Sequence, residues 1–478
     1  MSRQSRRTFL KSSLAASAGA AFTISGTKSS GRVIGANDSV RIAIAGLNGR
    51  GAAHVDEFAP MKGVDITYLV DPDARIFESR VKHLKSKGNH NPKTVQDIRR
   101  VLDDPNVDAI SIATPNHWHS LMTIWACQAG KDVYVEKPCS HNIHEGRIAV
   151  ETARHHKRIV QHGTQGRSSG ENAGAVEFIR SGQAGKLLVS RGLCYKGRGT
   201  IGVKQPETPP AQLDFGIWLG PAPEQPFHKN LVHYNWHWFW DTGNGDIGNQ
   251  GVHQMDVARW GIPGATLPKS VISLGGRFGY TDQGQTANTQ VTVFDYGDTQ
   301  LIFEVRGLKT DAFQGEKVGN IFHCEKGTIV GGRFFPKGSD KPERIASGSR
   351  GPGGGHFANF IAAVRSRKQD ELNADILEGH YSSALCHLAN MSYRLGEEVP
   401  FNPTTKALGD DKEAYETLAR MEQHLSGTNG LQLDGMKYML GRKLTVDAKN
   451  ESIVGDAQAS AMLTRNYRAP FTVPDKVA

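Results

Sequence analysis

A glycine-containing turn near the start of the chain has the composition of a phosphate-binding loop. It follows a strand-length apolar run and comprises Gly46, Leu47, Asn48, Gly49, Arg50 and Gly51. Glycines in such a turn let backbone N–H groups and the start of the next helix approach a pyrophosphate closely. Asn48 replaces the middle glycine of the G-x-G-x-x-G pattern, and asparagine tolerates a positive φ better than most residues. The turn predicts a dinucleotide site, with an ordinary strand–turn–helix as the alternative.

An acidic residue ends the second predicted strand, where Asp71-Pro72-Asp73 follows an apolar run. A carboxylate at this position can accept hydrogen bonds from the adenosine ribose hydroxyls, and its charge would repel a 2′-phosphate. Asp71 or Asp73 could instead cap a helix, although one of them can do so while the other binds the ribose. Asp71 therefore favours NAD over NADP as the cofactor.

Histidines recur at spacings that are compatible with zinc binding. His117 and His119 form an H-x-H pair, and an H-x3-H pair occurs further along the chain. Neither pair is completed locally into an evident ligand set. The candidate ligands are His233, His237, Asp241 and Asp246. We predict that the protein needs no metal.

Predicted strands that alternate with helices from Ser39 onwards would position these residues. They are short apolar runs at Val40–Leu47, Val64–Val70, Val107–Ala113, Asp132–Val135 and Arg158–Gln161. Strands that are buried on both faces and separated by helices are typical of a doubly wound parallel sheet. We therefore predict an α/β Rossmann domain over residues 38–165.

The pattern changes beyond residue 165. Strand-like runs there are joined by turns that contain glycine or aspartate, and they cover Lys186–Tyr195, Val271–Leu274, Gln290–Phe294, Gln300–Val305 and Gly319–Cys324. They predict an α+β domain with a mainly antiparallel open sheet over residues 166–400. The polar extension at residues 401–478 contains one predicted helix, at Lys412–His424, and its role is not indicated by its sequence.

An aromatic cluster from Tyr234 to Trp240 lies within the second predicted domain. Its side chains could pack between domains or subunits, or they could stack on the apolar faces of a sugar. In the second case Trp236, His237 and Trp240 would line the substrate site.

Two further segments follow the third and fourth predicted strands, and they read Ala113-Thr114-Pro115-Asn116-His117-Trp118-His119 and Glu136-Lys137-Pro138. Together with the glycine turn, they resemble the Gfo/Idh/MocA family of glucose–fructose oxidoreductase and inositol dehydrogenase, over roughly residues 39–395. The resemblance implies that Lys137 lies beside the nicotinamide and the substrate hydroxyl, where a cation favours an alkoxide-like transition state. It also implies cofactor contacts by Thr114, Pro115, Asn116, His119 and Glu136.

The second signature of this family is a D-x-G-x-H-x-x-D segment at the start of a helix. Here the segment runs from Asn249 to Asp256 and contains His253. The resemblance implies that His253 exchanges a proton with the substrate hydroxyl, a role suited to a pKa near neutrality, and that Asp256 is the last acid of the site. Asn249 replaces the usual aspartate and can orient a hydroxyl but cannot take its proton. Asp246, one helical turn earlier, could compensate and bind substrate.

Positive charge is concentrated at the N-terminus. The 478-residue chain has a formal net charge of +9, and residues 1–37 contain six basic residues and no acid. The remainder has an ordinary surface balance, so we expect no nucleic-acid partner. The five cysteines lie far apart without a CxxC pair. This spacing favours small buried thiols over a disulfide framework, with a single bridge as the alternative.

Residues 1–37 have the features of an export signal. Arg6 and Arg7 precede Phe9, Leu10 and a short apolar segment rich in alanine and serine, which resembles a twin-arginine signal. A disordered basic tail and an uncleaved anchor are the alternatives. Since no later apolar run reaches membrane-spanning length, we expect a periplasmic or otherwise extracytoplasmic protein without a membrane segment after signal removal.

The resemblance and the signal together predict an exported NAD(P)-dependent oxidoreductase that acts on a sugar or cyclitol hydroxyl. Because soluble NAD is scarce outside the cytoplasm, we expect a tightly held cofactor and a closed redox cycle. One alternative is redox-assisted glycoside hydrolysis, and another is a non-catalytic carbohydrate-binding protein on the same scaffold. The family habit and a broad open sheet also lead us to expect a homo-oligomer, either a dimer or a tetramer.

Overall fold

The computed structural model describes residues 39–88, 90–339 and 341–477. The predicted export signal at residues 1–37 therefore lies outside the described residues. Within the described ranges, no helix is both long enough and apolar enough to cross a bilayer. All five cysteines are free and buried, as the sequence favours.

The N-terminal half contains a six-stranded sheet in which every strand pair is parallel. Its spatial order is β3-β2-β1-β4-β5-β6. The strands are β1 (Val40–Ala45), β2 (Val64–Val70), β3 (Lys93–Val95), β4 (Ala109–Ile112), β5 (Asp132–Val135) and β6 (Val160–His162). The helices are α1 (Arg50–Phe58), α2 (Phe77–Lys85), α3 (Arg99–Leu102), α4 (Asn116–Gln128) and α5 (Ile143–His155). The prediction of a doubly wound Rossmann domain is confirmed.

The direction of winding reverses between β1 and β4, because the chain adds β2 and β3 on one side before it crosses to the other. Ligands of doubly wound sheets bind at this point, beyond the carboxyl ends of the strands. Strand β3 was not predicted, because it is a three-residue edge strand with exposed Lys93 and Thr94.

The second half contains a twelve-stranded sheet with the main order β14-β13-β12-β11-β7-β10-β9-β8-β16-β15. Only the β7–β10 pair is parallel among the pairs in its described residues, which confirms a mainly antiparallel sheet. The strands are β7 (Leu187–Cys194), β8 (Ser270–Gly276), β9 (Thr289–Asp295), β10 (Gln300–Arg306), β11 (Val318–Cys324), β12 (Gly327–Val330), β13 (Arg333–Pro336), β14 (Glu343–Arg344), β15 (Glu397–Pro400), β16 (Lys437–Leu440), β17 (Leu444–Asp447) and β18 (Ser452–Ile453).

The helices of this half are α6 (Gly170–Arg180), α7 (Phe215–Leu219), α8 (Gly245–Asn249), α9 (Gly251–Gly261), α10 (His356–Ser366), α11 (Ile376–Arg394), α12 (Lys412–Gln423) and α13 (Ala457–Ala461). Helices α9 and α11 pack on one face of the large sheet, where Met255 and Leu385 join the same buried cluster as Phe303. Burying this apolar area supplies most of the force that holds the layers together.

Helix α12 covers the opposite face of the large sheet. Ala414 packs against Val189 and Ile302 there. Beside it, the buried Glu304 accepts hydrogen bonds from Arg306 at 2.7 Å and from Arg420 of α12 at 2.7 Å. The broad open face on which we expected subunits to associate is thus occupied by the chain's own extension. The homo-oligomer therefore remains a prediction, and an open sheet face no longer supports it.

The sequence-based domain boundaries do not coincide with the packing. Phe357 and Phe360 of α10 pack against Phe58 of the Rossmann domain, although residues 356–366 were assigned to the second domain. Strands β16 and β17 of the C-terminal extension pair with β8, and Phe471 packs against Trp118 of α4. The extension therefore belongs to both cores and is not a separate unit.

Candidate active site

A cleft of about 500 Å³ lies between the two halves at the carboxyl ends of β1, β2, β4 and β5. Its volume is in the range of small-molecule sites. The predicted residues that line it are Gly46, Asn48, Gly49, Arg50, Asp71, Thr114, Pro115, Asn116, His119, Glu136, Lys137, Trp236, His237, Asn249 and His253. The fold thus brings most of the sequence-predicted site residues together, and their individual roles remain predictions.

The glycine turn lies at one end of the cleft. Gly46 has φ 81° and Gly49 has φ 45°, whereas Asn48, which we expected to take the positive φ, does not. A Cβ on Gly46 would lie 2.6 Å from the Ala113 carbonyl, and a Cβ on Gly51 would lie 1.7 Å from the Gly46 carbonyl oxygen. These glycines therefore let β1, α1 and the turn after β4 approach one another, and the open space at Gly49 fits a pyrophosphate.

The carboxylate of Asp71 fixes the glycine turn by accepting hydrogen bonds from the backbone. Its Oδ2 accepts a hydrogen bond from Leu47 N at 2.8 Å, and its Oδ1 accepts one from Asp73 N at 2.9 Å. Each carboxylate oxygen can accept a second bond, so the predicted contact with ribose hydroxyls is still open to it. Burial raises the pKa of Asp71, although the two backbone N–H groups oppose that shift. Asp73 instead pairs with Arg75 and with His233, whose Nε2 lies 2.8 Å from Asp73 Oδ2.

Glu136 is the centre of a buried polar network at the end of β5. Its Oε1 accepts hydrogen bonds from Arg50 Nε at 2.7 Å and from Gln165 Nε2 at 3.3 Å, and lies 3.1 Å from His54 Nε2. Burial would raise the pKa of Glu136, but the bond from His54 and the charge of Arg50 hold it well below its ordinary value. Glu136 is thus a fixed anion, and it favours the charged form of the adjoining Lys137.

Lys137 and Asn249 join the two halves across the cleft. Lys137 Nζ donates hydrogen bonds to the Asn249 carbonyl oxygen at 2.9 Å and to Asn249 Oδ1 at 3.3 Å. An ammonium group has three N–H donors, so one remains for a ligand. Burial lowers the pKa of Lys137, whereas the carboxylates of Glu136 and Asp246 oppose that change.

His253 lies on α9 near this ammonium group. Burial, followed by the charge of Lys137, lowers the pKa of His253 to about 3. The expectation of a pKa near neutrality is therefore corrected, because the imidazole is desolvated and lies beside a cation. A neutral ring can accept a hydrogen bond from a substrate hydroxyl while donating one from its other nitrogen.

His119 forms part of the wall behind the cleft. Its Nδ1 lies 2.6 Å from the Pro138 carbonyl oxygen, and its Nε2 lies 2.7 Å from that of Thr114. These contacts link the segments after β4 and β5, so His119 shapes the pocket rather than offering a free nitrogen to a ligand. Asn116 is similarly engaged, since its Nδ2 donates to Asn244 Oδ1 at 3.1 Å.

Three predicted substrate residues lie outside the cleft. Asp256 is fully buried, where its carboxylate accepts hydrogen bonds from Arg167 and Ser382, so it orders the core and not a ligand. Asp246 is held by Arg198 at 2.7 Å and 2.9 Å, and it therefore does not replace the aspartate missing at 249. Trp240 packs beneath Arg394 and near Tyr393. These corrections reflect long-range partners that sequence spacing does not reveal.

The structure adds cleft residues that we did not assign to the site from sequence, including Tyr234 of the aromatic cluster. Trp218 and Tyr234 belong to a long segment, residues 197–240, that crosses the Rossmann domain. His117 Nε2 lies 2.9 Å from the Trp218 carbonyl oxygen, and Asn48 Nδ2 lies 3.2 Å from His233 Nδ1. Gln165 was also missed, although its place just after β6, at the ligand edge of the sheet, was an available signal.

Part of the aromatic cluster is packed in the interior and part of it lines the cleft, where stacking on a sugar remains a prediction. Trp236 and His237 line the cleft and stack on each other with ring centroids 3.5 Å apart. Phe239 packs in a separate buried cluster with Trp236. Within residues 39–88, 90–339 and 341–477, no group of three or more histidine, cysteine or acidic side chains is arranged to hold a metal ion.

Comparison with protein families gives two adjoining matches. The oxidoreductase family with an NAD-binding Rossmann fold, GFO_IDH_MocA, matches residues 40–164. The C-terminal alpha/beta domain of the same oxidoreductase family matches residues 192–427. Together these ranges cover both halves of the cleft.

Curated relatives match over shorter stretches. A glycosyl hydrolase family 109 protein of Shewanella pealeana is 27% identical over an alignment of 165 positions, which covers 33% of this chain and 36% of the relative. A protein of the same name from Shewanella baltica is 28% identical over an alignment of 205 positions, which covers 38% of this chain and 44% of the relative. The chain thus matches less than half the length of these relatives.

Solved structures share the fold over most of the chain. The WlbA dehydrogenase of Bordetella pertussis, in complex with NADH and UDP-GlcNAcA, has a TM-score of 0.55 at 17% identity and covers 74% of this chain and 97% of its own. A levoglucosan dehydrogenase in complex with NADH and L-sorbose has a TM-score of 0.56 at 15% identity, and covers 74% and 96%. The two family models, which together match more than half of the chain, show that it belongs to the Gfo/Idh/MocA family of oxidoreductases and has an NAD-binding Rossmann domain.

Proposed function

We propose that this protein oxidises a hydroxyl group of a sugar or cyclitol and passes the hydride to NAD held in the cleft. The observation that carries the proposal is the position of Lys137, whose ammonium group is fixed by Asn249 across the cleft while one N–H donor stays free. NAD, when bound, supplies the hydride acceptor. The solved neighbours that carry NADH with L-sorbose or UDP-GlcNAcA support a sugar-like substrate.

Lys137 and His253 have complementary tasks in this proposal. The free N–H of Lys137 would donate to the substrate oxygen and stabilise the negative charge that develops there as the C–H bond breaks. The neutral imidazole of His253 would take the hydroxyl proton at one ring nitrogen while its other nitrogen releases one towards solvent, so that the ring relays the proton without staying charged beside Lys137. Glu136 would keep the ammonium group charged between turnovers.

Asn249 sets a limit on the proton route. Its amide can hold the ammonium group but cannot take the substrate proton, and Asp246 is occupied by Arg198. We therefore assign the proton route to His253 or Lys137, which line the described cleft together with a further imidazole that is in no ion pair, His237.

Glycoside hydrolysis by a closed redox cycle is the second candidate, and the names of the curated relatives favour it. In that cycle a ring hydroxyl is oxidised, the aglycone is eliminated, water is added, and the ring is reduced again. The same residues would hold the oxygen in both redox steps, and NAD would end each turnover unchanged. A carbohydrate-binding protein without catalysis would use the same cleft but would leave the cofactor unchanged throughout.

We also propose that the protein is exported in folded form with its cofactor. The proposal rests on Arg6, Arg7 and the apolar segment that follows them in the sequence. Replacing both arginines by lysine should retain the protein in the cytoplasm, as measured by fractionation. Unchanged export of that variant would contradict the twin-arginine route.

The test of the reaction is a panel of sugars and nitrophenyl glycosides, monitored for the absorbance of reduced nicotinamide and for product. Lys137→Met should lower turnover by about 10²–10³-fold, the effect of losing one oxyanion donor, while NAD stays bound. Lys196→Met is the matched control, because Lys196 is an exposed neighbour bonded to Gln250 at 2.9 Å. Undiminished turnover in Lys137→Met would contradict the proposal.

A further inference from the structure

A second cavity of about 440 Å³ adjoins the end of the cleft that contains Lys137 and His253. His253 lines both cavities. Gln165 and Asn249 line the cleft, while their sequence neighbours Gly166 and Gln250 line the second cavity. The two cavities therefore meet at His253, and no residue of the glycine turn lines the second one.

The walls of the second cavity carry unoccupied hydrogen-bond acceptors. Asn320 Nδ2 donates to the carbonyl oxygens of Arg191 and Gln254, and Asn172 Nδ2 donates to that of Gly166. These bonds orient both amides, and no donor from the described residues reaches either Oδ1. Hydroxyl and ammonium groups of a ligand are the natural donors to such oxygens.

Two carboxylates flank a glycine turn at the far wall of the cavity. A Cβ on Gly332 would lie 2.6 Å from Glu171 Cγ, and a Cβ on Gly331 would lie 3.5 Å from Glu316 Oε1. The two carboxylates are close enough that burial, followed by the charge of Glu171, raises the pKa of Glu316. In the part of the chain that the structure describes, neither carboxylate has a hydrogen-bond donor or a cation as partner.

The charged side chains that line the second cavity are all acidic. Its lining contains two carboxylates and several amides but no lysine or arginine. Arg333 and Arg344 line a neighbouring cavity, which shares Glu171 and the Gly331–Gly332 turn with the second cavity. Lys196 donates to Gln250 Oε1 of this lining at 2.9 Å but does not line the cavity itself, whose acidic side chains and free amide oxygens oppose an anion and favour a donor.

From this arrangement we infer that the second cavity binds a second ring of the substrate, one that carries hydroxyl or amino groups and no negative charge. The inference rests on the proposed function, because it assumes that the ring being oxidised lies at His253. It adds a specificity: neutral or cationic disaccharides and glycosides are bound, and uronic acids at the second ring are rejected. Glu171 and Glu316 are the residues that set this preference.

Calorimetric binding of disaccharides to the NAD-loaded protein tests the inference independently of turnover. The probes are glucose linked to glucose, to glucosamine or to glucuronic acid, measured near neutral pH. We expect the disaccharide that contains glucosamine to bind best, because hydrogen bonds between charged groups are the stronger ones. The disaccharide that contains glucuronic acid should bind at least about tenfold more weakly than the one with two glucose units. In the double variant Glu171→Gln/Glu316→Gln the three affinities should converge to within about threefold.

Glu151→Gln is the matched control, because Glu151 is exposed on α5 and lines neither cavity. It should leave the ranking unchanged. Equal affinities in the unmodified protein, or a ranking that survives in the double variant, would overturn the inference. If the affinities depend on charge but NAD is never reduced, the proposed oxidation is refuted and the second cavity remains a binding site. If sugars are turned over and the double variant leaves that turnover unchanged, the inference about the second cavity is refuted and the proposed oxidation stands.

Discussion

Replacing Asn249 by aspartate restores the family's usual acid at this position and places a carboxylate beside Lys137. The Asn249 Oδ1 atom lies 3.3 Å from Lys137 Nζ. Two unit charges at that distance attract by about 5 kcal/mol at an effective dielectric constant of about 20. Part of this energy is offset, because the new carboxylate is desolvated and lies near Asp246, whose Oδ1 is 3.5 Å from Asn249 Nδ2. Opposite charges at such distances raise the pKa of a lysine by about one to three pH units.

The assay is the pH profile of kcat and of kcat/KM with the best substrate of the sugar panel. Burial lowers the pKa of Lys137 in the unmodified protein. Because the new carboxylate stabilises the ammonium form, the limb of the profile governed by Lys137 should move to higher pH by at least about one unit. The limb should move to higher pH whether Lys137 acts as a cation or takes up the substrate proton, because both roles depend on the same lysine pKa.

Asn249→Ala is the control for loss of the amide. It removes the bond to Oδ1 but adds no charge, so it should weaken turnover without moving that limb upward. A profile of Asn249→Asp that coincides with that of the unmodified protein would refute the reasoning. It would mean that the ionisation of Lys137 does not govern the reaction.

The remaining predictions concern the glycine turn and the buried ion pairs beneath α12. Gly51→Ala should release NAD, measured as nicotinamide absorbance retained after gel filtration, because its Cβ would lie 1.7 Å from the Gly46 carbonyl oxygen; Gly197→Ala, in open space, should retain it. Glu304→Ala leaves the buried Arg306 without its carboxylate partner, although the Arg420 carbonyl oxygen still accepts a bond from it, and should cost about 3–5 kcal/mol in the free energy of unfolding, measured by denaturant titration. Although burial opposes it, neighbouring arginines lower the pKa of Glu304, so its contribution is present above the ordinary glutamate value of about 4.3 and is lost as pH falls through the lowered pKa. The difference between Glu304→Ala and the unmodified protein should therefore shrink in acid, and a constant difference would contradict this assignment.

Much of the Rossmann domain could be predicted from sequence, because its strands are buried on both faces and read as short apolar runs. β2 and β5 begin and end where the runs at Val64–Val70 and Asp132–Val135 place them. β3 has no such signal, since its pairing with β2 depends on a neighbour 25 residues away at Tyr68. A three-residue edge strand with two exposed polar residues is therefore visible only once the sheet has formed.

The site could be predicted to the extent that it follows from the ends of parallel strands. Asp71 and Lys137 line one cleft because both follow central strands of the same sheet. Asp256 could not be placed, because its partner Arg167 is 89 residues away and only the packing of α9 brings them together. The place of the C-terminal extension in the fold could not be predicted either, since the packing of α12 on the outer sheet face depends on Glu304 in β10.

The most direct measurement follows a deuterium atom from the substrate. The sugar that is turned over in the panel is prepared with deuterium on its ring carbons and mixed with the NAD-loaded protein in ordinary water. If the cleft works as proposed, nicotinamide recovered after a single turnover carries deuterium, and in Lys137→Met it carries far less. Protein that holds no NAD, or a labelled product formed while the cofactor stays unlabelled, would contradict the account.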